Sequence, residues 1–96
     1  MILRSYFNMS PELETLDQLL GSELSLNVII RLFPDGSAFK RGVLGLIDAG
    51  DVCLVAKDGS EIPHWRCREL FVNGTVMQEL EQMKLRITAE GVRRIK

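Results

Sequence analysis

Residues 37–55, SAFKRGVLGLIDAGDVCLV, change from helical to alternating periodicity with no loop between the two patterns. Ser37 or Asp35 can cap the helical part, and Gly50 stands where a helix commonly ends. The residues after Gly50 are rich in strand-forming types. The stretch therefore predicts a helix that passes directly into a strand, which favours an α+β fold. The predicted inward face of this helix consists of Phe39, Val43, Leu46 and Ile47.

Two further helices are predicted before this passage. Ser10 can cap the first, which ends near Gly21, and Ser25 can cap a second, shorter one. Pro-Asp-Gly at residues 34–36 ends the second helix. Residues 2–7 suggest a short strand or an ordered lead-in. The helix of the passage is therefore the third in the chain.

The chain after the passage is predicted to alternate between strands and turns. Residues 51–56, DVCLVA, form a strand, and Lys57 opens an Asp-Gly turn of the kind found in tight hairpins. Residues 61–65 are predicted to return as a strand. Residues 84–87 form a last strand, and Thr88 begins a terminal helix.

The pattern is weakest between the turn and the last strand. The stretch of residues 61–83 is much longer than the usual loop of about 4 to 6 residues. A helical turn is predicted over residues 65–71, and Asn-Gly-Thr at residues 73–75 is predicted to start a helix that reaches Met83. The stretch is either a structured insertion or an element that binds a partner.

The order of these elements resembles the winged helix-turn-helix family. Three helices, the third continuing through LIDAGDV into a strand and turn, are followed by a strand and by ITAEG. The resemblance covers residues 11–57 and 84–96. It implies a three-helix core, a small antiparallel β-hairpin called the wing, and a C-terminal helix. The chain is then a single domain of residues 1–96, with an insertion in the wing at about 61–83.

The same resemblance implies a function. In that family the third helix lies in the major groove of DNA, while the wing reaches an adjacent groove or the backbone. The expectation is a small transcriptional regulator that binds double-stranded DNA. The residues expected to contact DNA are Ser37, Lys40, Arg41, Lys57, Arg66 and Arg68.

The outward face of the third helix also supports an alternative, a winged helix used for protein contact or dimerisation. This face is poor in the amide and arginine side chains that read base edges. Leu44, Gly45 and Asp48 are typical of a protein surface, and the small residues Gly42 and Gly45 allow another backbone to come close. The residues expected to bind a protein partner are Leu44, Trp65 and Phe71.

The most distinctive short stretch is PHWRCREL, residues 63–70. Trp65 beside Arg66 and Arg68 can lie on a nucleic-acid backbone or anchor a protein partner. Equally, Trp65 can pack the hairpin onto the helices while the arginines face water. The apolar residues that a three-helix core does not accommodate predict a homodimer. They are Leu44, Trp65, Phe71, Val72 and Met77.

The sequence argues against an enzyme and against a bound cofactor. The one histidine has no nucleophile in a recognisable motif, and no glycine-rich phosphate loop is present. Cys53, His64 and Cys67 supply three zinc-type ligands without a credible fourth. We therefore expect no catalytic residues and no metal site.

Net charge and hydropathy limit where in the cell the protein is expected and which classes of partner it is expected to bind. The net charge of −1 argues against a strongly basic nucleic-acid binder. No stretch approaches the ~18 to 20 apolar residues of a membrane span, and the N-terminus lacks the features of a signal peptide. The expectation is a cytoplasmic protein without a membrane partner, whose two cysteines stay reduced.

Overall fold

A computed structural model of the chain describes residues 10–96, so the strand suggested at residues 2–7 lies outside the described residues. Residues 10–96 form an α+β fold with five α-helices and one small antiparallel sheet of three strands, which confirms the predicted class. The helices are α1 (Pro11–Leu19), α2 (Leu26–Ile29), α3 (Gly36–Asp48), α4 (His64–Val72) and α5 (Ala89–Ile95). The strands are β1 (Leu24–Ser25), β2 (Val52–Ala56) and β3 (Met83–Ile87).

Side-chain caps start three of these helices. Ser10, Asp35 and Thr88 each accept a hydrogen bond from the backbone N–H three residues further on, at 3.2, 2.8 and 3.1 Å. Asp35 therefore caps α3, whereas Ser37 lies inside the first turn. Ser25 occupies the cap position of α2, but its side chain makes no capping hydrogen bond.

The buried face of α3 organises the core. Phe39 is fully buried, and its ring centroid lies 5.9 Å from that of Phe33 and 6.1 Å from that of Phe71. These contacts join α3 to the segment that precedes it and to α4. The predicted inward face of α3 is confirmed, because Phe39, Val43, Leu46 and Ile47 are all buried.

The direct passage from α3 into β2 is also confirmed. Gly50 has a backbone φ of +82°, a conformation that costs a glycine little and other residues more. The N–H of Asp51 then donates to the carbonyl of Leu46 at 3.0 Å, which closes the end of the helix. The chain consequently turns out of α3 and enters β2 at Val52 without an intervening loop.

The C-terminal helix is fastened to this passage. The Oγ1 atom of Thr88 donates to the carbonyl of Gly50 at 2.6 Å, and the Thr88 N–H donates to the carbonyl of Asp51 at 3.0 Å. Gly91 packs so closely on the Asp51 backbone that a Cβ at this position would overlap the Asp51 carbonyl oxygen. The LIDAGDV and ITAEG motifs therefore meet in the fold and support each other.

The sheet places β3 between the other two strands. Leu85 of β3 is paired with Leu24 of β1 on one side and with Leu54 of β2 on the other. The side chains of Leu54 and Leu85 are fully buried, so this face of the sheet packs on the helical core. The antiparallel neighbour of β2 is thus a strand that begins at Met83.

The returning strand predicted at residues 61–65 is wrong. Glu61 forms only an isolated bridge with Val55, and α4 begins at His64. Pro63 has no backbone N–H to donate to a strand ladder, and its φ suits the position before a helix. The chain therefore leaves the sheet after a single pairing.

The connecting segment, residues 57–82, is ordered structure between β2 and β3. It contains α4, which is longer than the predicted helical turn, and two 3₁₀ turns at Thr75–Gln78 and Leu80–Gln82. The helix predicted from residue 75 to Met83 is wrong. Glu79, with φ −127° and ψ 25°, interrupts the helical geometry, and Met83 is already extended as the first residue of β3.

Candidate functional site

Helix α4 lies along α3 and runs antiparallel to it. At one end, Asp48 in the last turn of α3 is held by two side chains from the start of α4, with His64 Nε2 at 2.6 Å and Arg68 Nη1 at 2.8 Å. At the other end, the Cε atom of Met77, just beyond α4, lies 3.2 Å from the position that a Cβ on Gly36 would occupy. Helix α4 and the residues that follow it therefore pack along one side of α3.

Lys40 belongs to this side of α3. Its side chain is half-buried, and its Nζ atom lies 4.0 Å from the position of a Cβ on Gly74. Gly74 follows the C-terminal end of α4, where unpaired carbonyl groups make a cation favourable. Lys40, one of the residues expected to contact DNA, is therefore only partly exposed, and its ammonium group lies near the C-terminal end of α4.

A narrower strip of α3 stays open to solvent. Ser37, Arg41 and Gly45 are exposed and recur every four residues along one side of the helix. Arg41 Nη1 donates to the Ser37 hydroxyl at 2.8 Å, and no acidic residue in the described part of the chain forms an ion pair with it. No atom lies within 4 Å of a Cβ built on Gly45. The strip thus offers one cation and no amide side chain.

The other predicted DNA contacts do not join this strip. Arg66 Nη1 is paired with Glu69 at 2.6 Å, while Arg68 is paired with Asp48. Residues two apart on a helix point about 200° apart, so Arg66 and Arg68 leave α4 in different directions. Arg66 instead lines the same groove as the exposed Lys57.

That groove lies between the turn after β2 and α4, and has a volume of about 680 Å³. Ile62, Leu70 and Met83 contribute apolar surface to it, and charged groups of both signs stand among its lining residues. The mixture of signs gives the groove no preference for an anionic or a cationic ligand. The charged lining residues are Lys57, Asp58, Glu61, Arg66 and Glu79.

The contact with α4 changes the pKa of the Asp48 carboxyl. The hydrogen bond from His64 lowers the pKa of the Asp48 carboxyl below its ordinary value, and Arg68 lowers it further through a second hydrogen bond and its charge. Desolvation acts in the opposite direction and only partly offsets this. The carboxylate is consequently ionised at neutral pH and links α3 to α4.

The outer face of α4, defined by Trp65, Arg68, Glu69 and Val72, carries the two most exposed large apolar side chains of the described residues. Trp65 is 67% exposed and Val72 is 65% exposed. Residues seven apart lie two turns apart on the same side of a helix, so these two side chains form one line. The interpretation of Trp65 as a buried plug for the hairpin is therefore wrong.

Other residues of α4 fill the core in place of Trp65. Cys67, Leu70 and Phe71 are buried, and Phe71 is only 3% exposed beside Phe39. Phe71 is thus unable to contact a partner, which corrects its assignment as a partner-binding residue. Leu44 is half-buried against the core and keeps only part of its surface. The i, i+3, i+4 spacing of residues 67, 70 and 71 is a sequence signal that identifies this inward face.

The three zinc-type residues do meet around one small space. Cys53, His64 and Cys67 all line a pocket of about 200 Å³. Burial raises the pKa of both thiols, so each is protonated at neutral pH and would have to release its proton to bind a metal. Within residues 10–96, no group of three or more His, Cys, Asp or Glu side chains is arranged to hold a metal ion.

The same residues contain no helix of the length and apolar character that crossing a membrane requires.

Comparisons of the chain with protein-family models, with curated proteins and with solved structures found no match. The arrangement of α3 and α4 is therefore the basis for a functional proposal.

Proposed function

We propose that the protein is a protein-interaction module built on a winged-helix fold, and that it contacts its partner through the outer face of α4. One observation carries this proposal. Helix α4 packs along the side of α3 that holds Lys40 and Asp48, and presents the exposed Trp65 on its own outer face. The outward surface of this half of the domain is thus formed by the connecting segment.

The winged-helix part of the proposal is supported by the order of the elements. Apart from α4, the elements follow in the order α1, β1, α2, α3, β2 and β3. The last strand, β3, lies between β1 and β2 in the antiparallel sheet. A terminal helix then packs on the passage from α3 to β2. Helix α4 interrupts this order only between the two strands of the wing.

Electrostatics favours a protein partner over DNA. Affinity for DNA rests on cations that neutralise phosphates, and base reading needs arginine or amide side chains in the groove. The charges of Arg66 and Arg68 are offset by the neighbouring Glu69 and Asp48, and Lys40 is only partly exposed, near the C-terminal end of α4. Arg41 is the remaining predicted contact on α3 whose side chain is exposed and has no acidic partner in the described part of the chain.

The composition of the outer face of α4 points in the same direction. Tryptophan and arginine dominate the residues on which protein interfaces depend, and Trp65 and Arg68 stand together here. A tryptophan and a valine that are both two-thirds exposed leave apolar area in water that a partner would bury. The half-exposed charges beside them suit a polar rim.

The test is photo-crosslinking of the protein to its partners in cells of the native host. A photoreactive phenylalanine derivative is placed at position 65, and a matched control carries it at Val28, an exposed position on α2. We expect a discrete protein adduct from position 65 that position 28 does not give. Equal adduct patterns from the two positions would overturn the proposal. Mass spectrometry of the adduct identifies the partner.

A DNA-binding winged helix is the second candidate, and the free charge of Arg41 next to Ser37 favours it. With Arg41, the one free cation of this strip among the described residues, contacting a phosphate, the slope of log affinity against log salt concentration would be about −1. Retardation of a mixed-sequence duplex at low ionic strength that is lost in Arg41→Ala would establish this candidate. Our proposal predicts no salt-dependent retardation. The cytoplasmic location stays a prediction under either function.

A further inference from the structure

We infer that the partner of the outer face of α4 is a second copy of the chain, packed with the two α4 helices parallel across a twofold axis. This inference rests on the proposed function and names the partner of the same surface. It follows from the positions of one apolar pair and one charged pair on that face.

The apolar pair forms the centre of the contact. Trp65 and Val72 lie on one line, and seven residues of helix separate them by about 10.5 Å along the axis. In a parallel arrangement each of them meets its own copy, so the tryptophans stack at one end and the valines at the other. Aromatic pairs of this kind contribute beyond the area that they bury.

The charged pair selects the parallel arrangement. Arg68 and Glu69 flank the apolar line on opposite sides, because successive residues turn by about 100°. A twofold axis along the helices exchanges the two sides, so Arg68 faces the partner subunit's Glu69. In an antiparallel pair the twofold axis is perpendicular to the helices and does not exchange the two sides. Arg68 would then face the partner's Arg68. Only the parallel pair is complementary in charge.

Both charged groups can accept this additional contact. Arg68 holds Asp48 at 2.8 Å, and Glu69 holds Arg66 at 2.6 Å, yet each of these side chains is about half exposed. A guanidinium has five N–H donors, and a carboxylate has two oxygens that accept several hydrogen bonds. The interface would therefore continue the existing pairs into a chain of alternating charges from Asp48 to the partner's Arg66.

The small area of the outer face of α4 limits the affinity expected for the dimer. One helix of nine residues offers much less than the ~800 Å² per subunit of a standard stable interface. The dimer should thus be weak, with a dissociation constant on the order of 10 to 100 μM. Sedimentation velocity over a concentration series that reaches high micromolar values can detect it.

The experiment uses the full chain and charge reversal. Arg68→Glu alone and Glu69→Arg alone place like charges across the parallel interface, and we expect each to weaken dimerisation at least tenfold. Mixed in equal amounts, the two variants regain opposite charges and should dimerise at least tenfold more tightly than either alone. Trp65→Ser should be monomeric, while Val28→Ser should behave as the wild type. All four positions are exposed or half-exposed, so the variants should fold.

The parallel orientation of the two α4 helices is tested by mixing the wild type with the double variant Arg68→Glu/Glu69→Arg. A parallel pair gives no mixed dimer, and a tighter mixed dimer would show an antiparallel pair and overturn the inference. A wild type that stays monomeric at high micromolar concentration also overturns it. If position 65 then crosslinks to a different protein, the proposed function stands without self-association. If it crosslinks to nothing specific, both proposals fail.

Discussion

The Nε atom of Arg94 in α5 lies 2.6 Å from the Oδ2 atom of Asp51, a carboxylate that is only 2% exposed. The Oδ1 atom of the same carboxylate has no hydrogen-bond partner among the described residues. A buried carboxylate is costly unless a cation or donors accompany it, so Asp51 depends on Arg94. The pair adds a charge contact to the backbone contacts that hold α5 on the passage from α3 to β2.

Removing the cation should destabilise the domain. We expect Arg94→Ala to lower the free energy of unfolding by about 1 to 3 kcal/mol, because Asp51 stays buried without its partner. Arg93→Ala is the matched control, since Arg93 is exposed and pairs only with the exposed Glu90 on its own helix. Its effect should stay within about 0.5 kcal/mol. Equal effects of the two variants in urea denaturation would contradict the structural importance of the Asp51 pair.

The two glycines in the middle of α3 should respond oppositely to alanine. A Cβ on Gly42 would overlap the ring of Phe33 and lie 2.8 Å from Glu12 Oε2, so Gly42→Ala should cost about 1 to 3 kcal/mol. A Cβ on Gly45 meets no atom within 4 Å, so Gly45→Ala should stabilise the helix by about 0.5 to 1 kcal/mol. Denaturation curves of both variants check the difference in sign.

Leu46 tests the assignment of the buried face of α3. Its side chain belongs to the hydrophobic core, and Leu46→Ala should cost about 2 to 5 kcal/mol, a large part of the stability of a domain this small. The exposed Leu13 is the control, with an expected cost within about 0.5 kcal/mol for Leu13→Ala. An unchanged melting temperature in Leu46→Ala would mean that the face is wrongly assigned.

The contact of Asp48 with α4 should depend on pH. The pKa of Asp48 in the folded protein is below its ordinary value of 3.8, so the contact stabilises the folded state above about pH 4. This contribution is lost as the pH falls through the folded pKa and the carboxylate is protonated. Because the groups are partly exposed, it should be under about 1 kcal/mol.

The measurement compares melting temperatures of the wild type and Asp48→Asn from pH 6 to pH 2. The wild type should melt higher near neutral pH, and the difference should shrink below pH 4. A difference that stays constant to pH 2 would show that the Asp48 carboxylate does not link the two helices.

Much of the α3 region was predictable because its signals are local. Asp35 and Gly50 mark the two ends of α3, and the spacing from Phe39 to Ile47 marks its buried face. These features depend on neighbouring residues in the chain, so they can be read without knowing the fold. The class of the fold follows from the same signals.

The candidate site was less predictable because it depends on contacts distant in sequence. Nothing near Lys40 or Asp48 in the chain indicates that α4 packs beside them, since Arg68 is 20 residues from Asp48. The exposure of Trp65 likewise depends on which side of α4 meets α3. The partner of β2 was missed for the same reason, because it lies beyond the whole connecting segment.

The central position of β3 determines when the sheet can form during synthesis. Helices α1 and α3 can form as they leave the ribosome, because their hydrogen bonds are local. Strands β1 and β2 do not pair with each other, so both wait for Met83–Ile87 to emerge. A nascent chain paused before Met83 therefore exposes unpaired strand edges, which make a chain prone to aggregation and a substrate for chaperones.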